Sequence, residues 1–339
     1  MNSIDLTTDY LGLKLTNPLI ASASPLSRSI DSARQLEDAG AAAIVMYSLF
    51  EEELRHQEEE TARFMIHQEI GFGEADSFLP FDDRFEHGLD QYLNQLSALK
   101  NALDIPVIAS LNGVSLDGWV DHGKLLQEAG ADALELNVYY LSSRIEESGE
   151  AIESRYVTLL EALRRQVSIP IAMKLSPYFS SPAHFIKRLD QAGADAVVLF
   201  NRFYQPDIDL DTLQVISQLQ WSRSADIQLS LRWVALLYGK LNLSLATTSG
   251  AHNANDVLKL LLAGADAIQL CSVLLEHGPA FLSTIKEGLT RWLETKEYAA
   301  VSEIKGLLSQ KQISNPQVFE RSNYINLLDG YSRSEGVRS

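Results

Sequence analysis

The stretch "IPIAMKLSPYF", residues 169–179, sets one lysine, Lys174, inside an otherwise apolar run. A charged amine is almost never buried without a partner, so Lys174 points to a strand terminus that opens on a cleft or to a bound anion. Lys174 is not the only such residue. Other apolar runs end on Ser22 with Ala23, Tyr47 with Ser48, Ser110 with Asn112, Asn137, Asn201, Ser249 with Gly250, and Cys271 with Ser272. Polar and small residues gathered at one end of apolar strands mark a ligand site.

The elements that must hold these residues follow from a recurring phrase. "DAGAAAIVMYS", "EAGADALELNV", "QAGADAVVLFN" and "LAGADAIQLCS" each read as a helix stopped by a glycine and followed by a short apolar strand. Strands without alternation suit a parallel sheet covered on both faces. Four more strand candidates lie between them: "PLIASAS" (18–24), "IPVIASL" (105–111), "IPIAMKLS" (169–176) and "LSLATTSG" (243–250). Interleaved, the two sets give eight βα units and predict an α/β fold, a (β/α)8 TIM barrel. An open doubly wound sheet is the alternative, but no glycine-rich dinucleotide fingerprint follows the first strand. The polar set then sits together at the C-terminal strand ends, where barrels of this kind carry their sites.

The expected organisation is one domain over residues 1–339. It has a long active-face insertion after strand 2, residues 50–90, helices that close the barrel near the C-terminus, and a C-terminal extension, residues 309–339. Within the insertion "EEELRHQEEE" reads as a solvated face, and the segment from Gly71 to Phe85 as a lid.

Bulk properties remove several function classes. The net charge of −17 repels nucleic acid and anionic membrane, so neither is an expected partner. Cys271 is the single cysteine, which excludes an internal disulfide and any cluster ligated by this chain's cysteines alone, and no metal is expected. The first residues carry no apolar signal segment and no run is long enough to span a bilayer, so the expected location is the cytoplasm.

With the strand ends in view, the chain resembles the dihydroorotate dehydrogenase family of FMN-dependent barrels from about Asp5 to Leu308. The likeness rests on four stretches: "LGLKLTNPLIASAS", "MKLSPYF", "LATTSGAHNANDVLKLLLAGADAIQLCSVLLEHGPA" and "EYAAVSEIKGLL". The resemblance implies FMN as cofactor. It assigns Ser22, Ala23, Ser48, Asn112, Asn137, Lys174, Asn201, Ser249, Gly250, Cys271 and Ser272 to the cofactor site. The turns at Ser249-Gly250 and Cys271-Ser272 would take the phosphate, where the family usually has two glycines and Gly-Thr. Lys174 would lie beside the flavin and stabilise its anionic reduced form.

The chain also departs from the family pattern. After strand four the family reads approximately Asn-x-Ser-Cys/Ser-Pro-Asn, with Cys or Ser as the base. Here the stretch is "NVYYLS", so Tyr140 stands at the base position and Ser142 at the second asparagine. Tyr47 replaces a second family lysine. A phenol is a poor base at neutral pH but a competent proton donor, which makes Tyr140 the second catalytic candidate beside Lys174.

The expectation is therefore an FMN oxidoreductase acting on a CH–CH bond of dihydroorotate or a related dihydropyrimidine, with a small-molecule substrate and a soluble electron acceptor. A homodimer is compatible with the sequence. Two alternatives stay open: an FMN reductase of a different activated alkene with Tyr140 as donor, and a flavin-binding barrel without catalysis.

Overall fold

The computed structural model describes residues 4–51, 88–113, 116–138, 140–202, 205–217 and 220–320. Eight parallel strands close into a barrel: β3 (Leu19–Ala21), β4 (Ala43–Phe50), β5 (Val107–Asn112), β6 (Ala133–Asn137), β7 (Ile171–Leu175), β8 (Ala196–Leu199), β11 (Ser244–Thr248) and β12 (Ala267–Leu270). The barrel closes as β12 pairs with both β11 and β3. All eight lie where the sequence predicts strands.

Helices pack around the outside: α1 (Ile30–Asp38), α2 (Gly88–Ala102), α3 (Leu116–Glu128), α4 (Gly149–Arg164), α5 (Pro182–Gln191), α6 (Ile227–Leu237), α7 (Ala254–Ala263), α8 (Ser272–His277) and α9 (Phe281–Thr295). Their stripes are short and regular. In α5, for instance, a proline opens the first turn and Phe185, Ile186 and Leu189 form the buried face. Each fully buried Leu or Phe of this kind stabilises the fold by about 1.5–3 kcal/mol relative to exposure.

The repeated phrase has a structural cause. Gly40, Gly130, Gly193 and Gly264 all take φ between +96° and +120°, the region that lets the chain leave a helix and enter the next strand. The aspartates two residues on hold the neighbouring strand. Asp132 accepts the Val107 N–H at 2.7 Å, Asp195 the Ile171 N–H at 2.8 Å and Asp266 the Leu245 N–H at 2.7 Å. Each carboxylate also meets a cation, respectively Lys100, Arg164 and Lys305. Replacing Asp266 by Ala is expected to lower stability by about 2 kcal/mol, because a strand N–H and an ammonium lose their shared acceptor. Urea unfolding reads this, and an unchanged midpoint would mean that solvent serves the Leu245 N–H.

A hairpin of β1 (Thr8–Tyr10) and β2 (Leu13–Leu15) plugs the N-terminal mouth. The Thr8 hydroxyl donates to the Asp266 carbonyl and the Leu11 N–H to the Ser244 hydroxyl, both at strand beginnings. Tyr10, Leu11 and Leu15 are buried against Ile20, Ala133, Ala172, Ala196, Ala246 and Ala267, small residues that leave the bore room for the plug. Among the described residues no such plug fills the opposite, C-terminal mouth.

One element has no counterpart in the sequence reading. After β8 the chain forms a hairpin, β9 (Pro206–Asp209) and β10 (Gln214–Ser217). The predicted insertion begins where β4 ends and stops where α2 starts, and the lid segment Gly71–Phe85 falls outside the described residues. Of the C-terminal extension, residues 309–320 are described, including α11 (Gln317–Glu320), which follows the short helix α10 (Val301–Ile304).

Candidate active site

The mouth of the barrel is built in layers two residues apart along each strand. Ile20, Ala133, Ala172 and Ala267 form an apolar layer. Two residues further on, the same four strands carry Ser22, Glu135, Lys174 and Gln269, all buried. The Lys174 ammonium donates to Glu135 Oε1 at 3.0 Å, to Gln269 Oε1 at 3.1 Å and to Ser22 Oγ at 3.3 Å. Ser22 Oγ in turn donates to Gln269 Oε1 at 3.1 Å, and the Gln269 amide N–H donates to Glu135 Oε2. In the ring order of the barrel β3 lies opposite β7, and β12 opposite β6, so this quartet crosses the whole bore and floors the site. The lysine that stood out in the sequence thus has a partner, the buried carboxylate of Glu135.

Above the floor lies a rim of amides and hydroxyls. Asn112, Asn137 and Lys174 share one register row across β5, β6 and β7. Asn201, two residues past β8, is held by its backbone N–H on Leu175 O at 2.8 Å and donates its side-chain amide to Asn137 Oδ1 at 2.8 Å. Ser48 in β4 shares a 2.9 Å hydrogen bond with Ser110. Tyr47, beside it, packs edge-on against Tyr92 at 5.0 Å with the Arg28 guanidinium over its ring at 4.6 Å.

The last two strand ends form adjoining turns. Ser249 and Gly250 take φ of +72° and +87° in succession. A Cβ on Gly250 would lie 2.6 Å from Ile227 N and 3.0 Å from Arg223 O, so only glycine fits between this turn and the start of α6. Any substitution there would break packing before it could probe a bound anion. Ser272 opens α8, and its hydroxyl accepts from both the N–H and the hydroxyl of Ser222, which also meets His252 Nε2 at 3.0 Å. The Cys271 thiol lies against the Ala23 carbonyl at 3.9 Å; burial pushes it up, Lys174 only partly offsetting this, so it stays neutral.

The backbone N–H groups of Gly250 and Ala251 find no acceptor among the described residues. Unpaired donors at a glycine turn, a hydroxyl at the adjacent turn and a cation in the floor fit an FMN: the turns would hold its phosphate and the floor and rim its ring.

Tyr140, three residues past β6, donates its hydroxyl to Glu147, and the Arg155 side chain donates to the same carboxylate while its guanidinium sits 5.0 Å above the Tyr140 ring. The phenol's hydrogen bond, then Arg155, holds Glu147 below the usual carboxylate range despite some desolvation. Tyr139 falls outside the described residues.

Sequence reading missed Glu135, Gln269, Ser222 and His252. For the first two a signal existed: stepping back by two from Asn137 and from Cys271 reaches the only polar residues inside "ALELN" and "AIQLC" that share their parity. Among the described residues no helix is long and apolar enough to cross a membrane.

Comparison with known proteins bears on what this mouth does. The profile of the family described as dihydroorotate dehydrogenase matches residues 84–293. The catalytic subunit of dihydroorotate dehydrogenase B (NAD(+)) from Methanosarcina acetivorans is 28% identical over 303 residues, covering 87% of this chain and 94% of the relative. The corresponding subunit from Caldicellulosiruptor bescii is 25% identical over 228 residues, 66% of this chain and 75% of the relative. The NAD-dependent dihydropyrimidine dehydrogenase subunit PreA of Escherichia coli is 23% identical over 324 residues, 89% of this chain and 76% of the relative. A closed eight-stranded parallel barrel, a profile match over more than half of its length and relatives of this kind together mean that the chain belongs to the dihydroorotate dehydrogenase family of oxidoreductases.

Proposed function

We propose that this chain is an FMN-dependent oxidoreductase acting on the CH–CH bond of a dihydropyrimidine, dihydroorotate or a close relative of it. The observation that carries the reading is the buried Lys174–Glu135 floor under an amide rim: Lys174 is buried across the bore, and Asn112, Asn137 and Asn201 stand above it at the mouth. When bound, FMN supplies the two-electron redox chemistry. The ammonium of Lys174 favours negative charge on a ring stacked over it, and the linked amides of Asn137 and Asn201 orient a ligand that itself presents amide N–H and C=O groups. Lactam and imide rings of pyrimidine type meet that description.

Proton chemistry is assigned to Tyr140. Oxidation of a CH–CH bond to C=C gives up one hydrogen as hydride, which carries the electron pair to the flavin, and the other as a proton; reduction of the product takes back a hydride and a proton. The Tyr140 hydroxyl exchanges the proton, with Glu147 as the acceptor already bonded to that oxygen. Because Tyr140 stands where the family carries Cys or Ser, a second reading is supported by the same contact: reduction of a different activated alkene, with Tyr140 as donor. The electron acceptor is proposed to be soluble.

Full-length protein desalted after FMN loading should retain flavin in about equimolar amount. Turnover assays with dihydroorotate, other dihydropyrimidines and simple enoates then separate the readings. Retained flavin with turnover confined to enoates would discard the dihydropyrimidine assignment, and absence of retained flavin would discard the cofactor.

A further inference from the structure

An ammonium has three N–H donors, and in this structure Lys174 uses all three inside the barrel, on Glu135, Gln269 and Ser22. Nothing is left over for a ligand. Lys174 also shares its layer with a full opposite charge, since Glu135 is 1% exposed and Lys174 5%. The two remaining members, Ser22 and Gln269, are neutral and close the ring of hydrogen bonds.

We propose that Glu135 is a positioning and charge-setting residue for the site: it anchors Lys174 in the floor and screens it, so that a flavin above feels the positive end of a neutral pair. The proposal rests on the flavin reading given above. Of the three bonds, that to Ser22 is the longest at 3.3 Å and involves no charge on the partner, so it is the one a ligand oxygen would displace; the bond to Glu135 stays. Neighbouring titratable groups do not disturb this picture. The Tyr10 phenol, from the plug below, and the Tyr92 phenol, from α2, are pushed up by burial, with Glu135 adding to both, and the Cys271 thiol is pushed up by burial as well. All three stay protonated and uncharged.

The expected signs follow from charge alone. Removing the carboxylate while keeping the shape, Glu135→Gln, leaves Lys174 unscreened beneath a ring that becomes negative on reduction, so the flavin becomes easier to reduce. Glu135→Asp keeps the charge and should restore the parent's potential. The experiment is the midpoint potential of FMN bound to the full-length protein, measured against a reference dye for the parent, Glu135→Gln, Glu135→Asp, Lys174→Met and the double variant Glu135→Gln/Lys174→Met. A rise for Glu135→Gln, a return toward the parent for Glu135→Asp, and a rise on adding Glu135→Gln to Lys174→Met support the proposal. The last comparison does not depend on how the first variant folds. If FMN binds these proteins and removing the carboxylate leaves the potential unchanged or lower in both backgrounds, the proposal is overturned. If the parent binds no FMN, it is the cofactor reading that fails instead, and unfolding midpoints show whether the buried pair still couples: two destabilised single variants with a recovered double keep the anchoring, and additive effects overturn it.

Discussion

Tyr140→Phe is expected to slow the proton-coupled half-reaction by about 10²- to 10⁴-fold, the usual contribution of a positioned acid or base, while leaving flavin binding intact. The substitution removes one hydroxyl and keeps the ring, so the stack under Arg155 survives. What is lost is the hydrogen bond to Glu147 and the exchangeable proton at that oxygen. Fold stability should change little, because Glu147, though its side chain is only 12% exposed, retains the half-exposed Arg155 as a partner. Rapid-mixing kinetics of the FMN-loaded protein, followed separately for reduction by substrate and reoxidation by an acceptor, reads the effect. A companion variant, Glu147→Gln, keeps the phenol and removes the charge it is bonded to; its effect should be smaller and in the same direction. Equal and small effects at both positions would make "NVYYLS" a packing loop.

Lys174→Met should make the flavin harder to reduce and slow reduction by substrate by about 10²- to 10³-fold, the scale of losing one preorganised electrostatic partner of a developing negative charge. Methionine fills most of the volume, so the loss is of charge more than of packing. The fold is weakened too. Glu135 keeps only the Gln269 amide, and stripping one member from a buried pair costs about 3–5 kcal/mol. That is within the total stability of an ordinary domain, and FMN in excess restores part of it by mass action. Chemical denaturation with and without FMN separates the two losses. A variant of parental stability and parental potential would remove Lys174 from both the floor and the flavin site.

The barrel was legible because one phrase encodes a whole βα junction. Its glycine must be left-handed, and in three of the four copies its aspartate must reach a backbone N–H at the start of the neighbouring, preceding strand. Such demands fall on residue types at fixed spacing, and spacing is what a sequence displays. The rim was legible for a similar reason, since each strand end exposes a polar residue after an apolar run. The floor was not. Glu135 and Gln269 sit inside strands whose neighbours are apolar, and only the pairing across the bore, between residues 134 positions apart, tells why a carboxylate can be buried there. Lys174 looked like a charge in want of an anion from outside, whereas its anion is part of the barrel. The β9–β10 hairpin escaped because its apolar residues, Ile208, Leu210, Leu213 and Val215, alternate with acidic or polar ones and remain exposed, the pattern of a loop as readily as of a strand.

The site's chemistry is tested most directly by adding dihydroorotate and other dihydropyrimidines, without oxygen, to FMN-loaded full-length protein while the visible absorption of the flavin is recorded. Electron transfer from a CH–CH bond into a flavin over Lys174 predicts that at least one of these compounds bleaches the oxidised band fully and that an acceptor restores it. A flavin that stays oxidised in the presence of all of them would contradict the assignment.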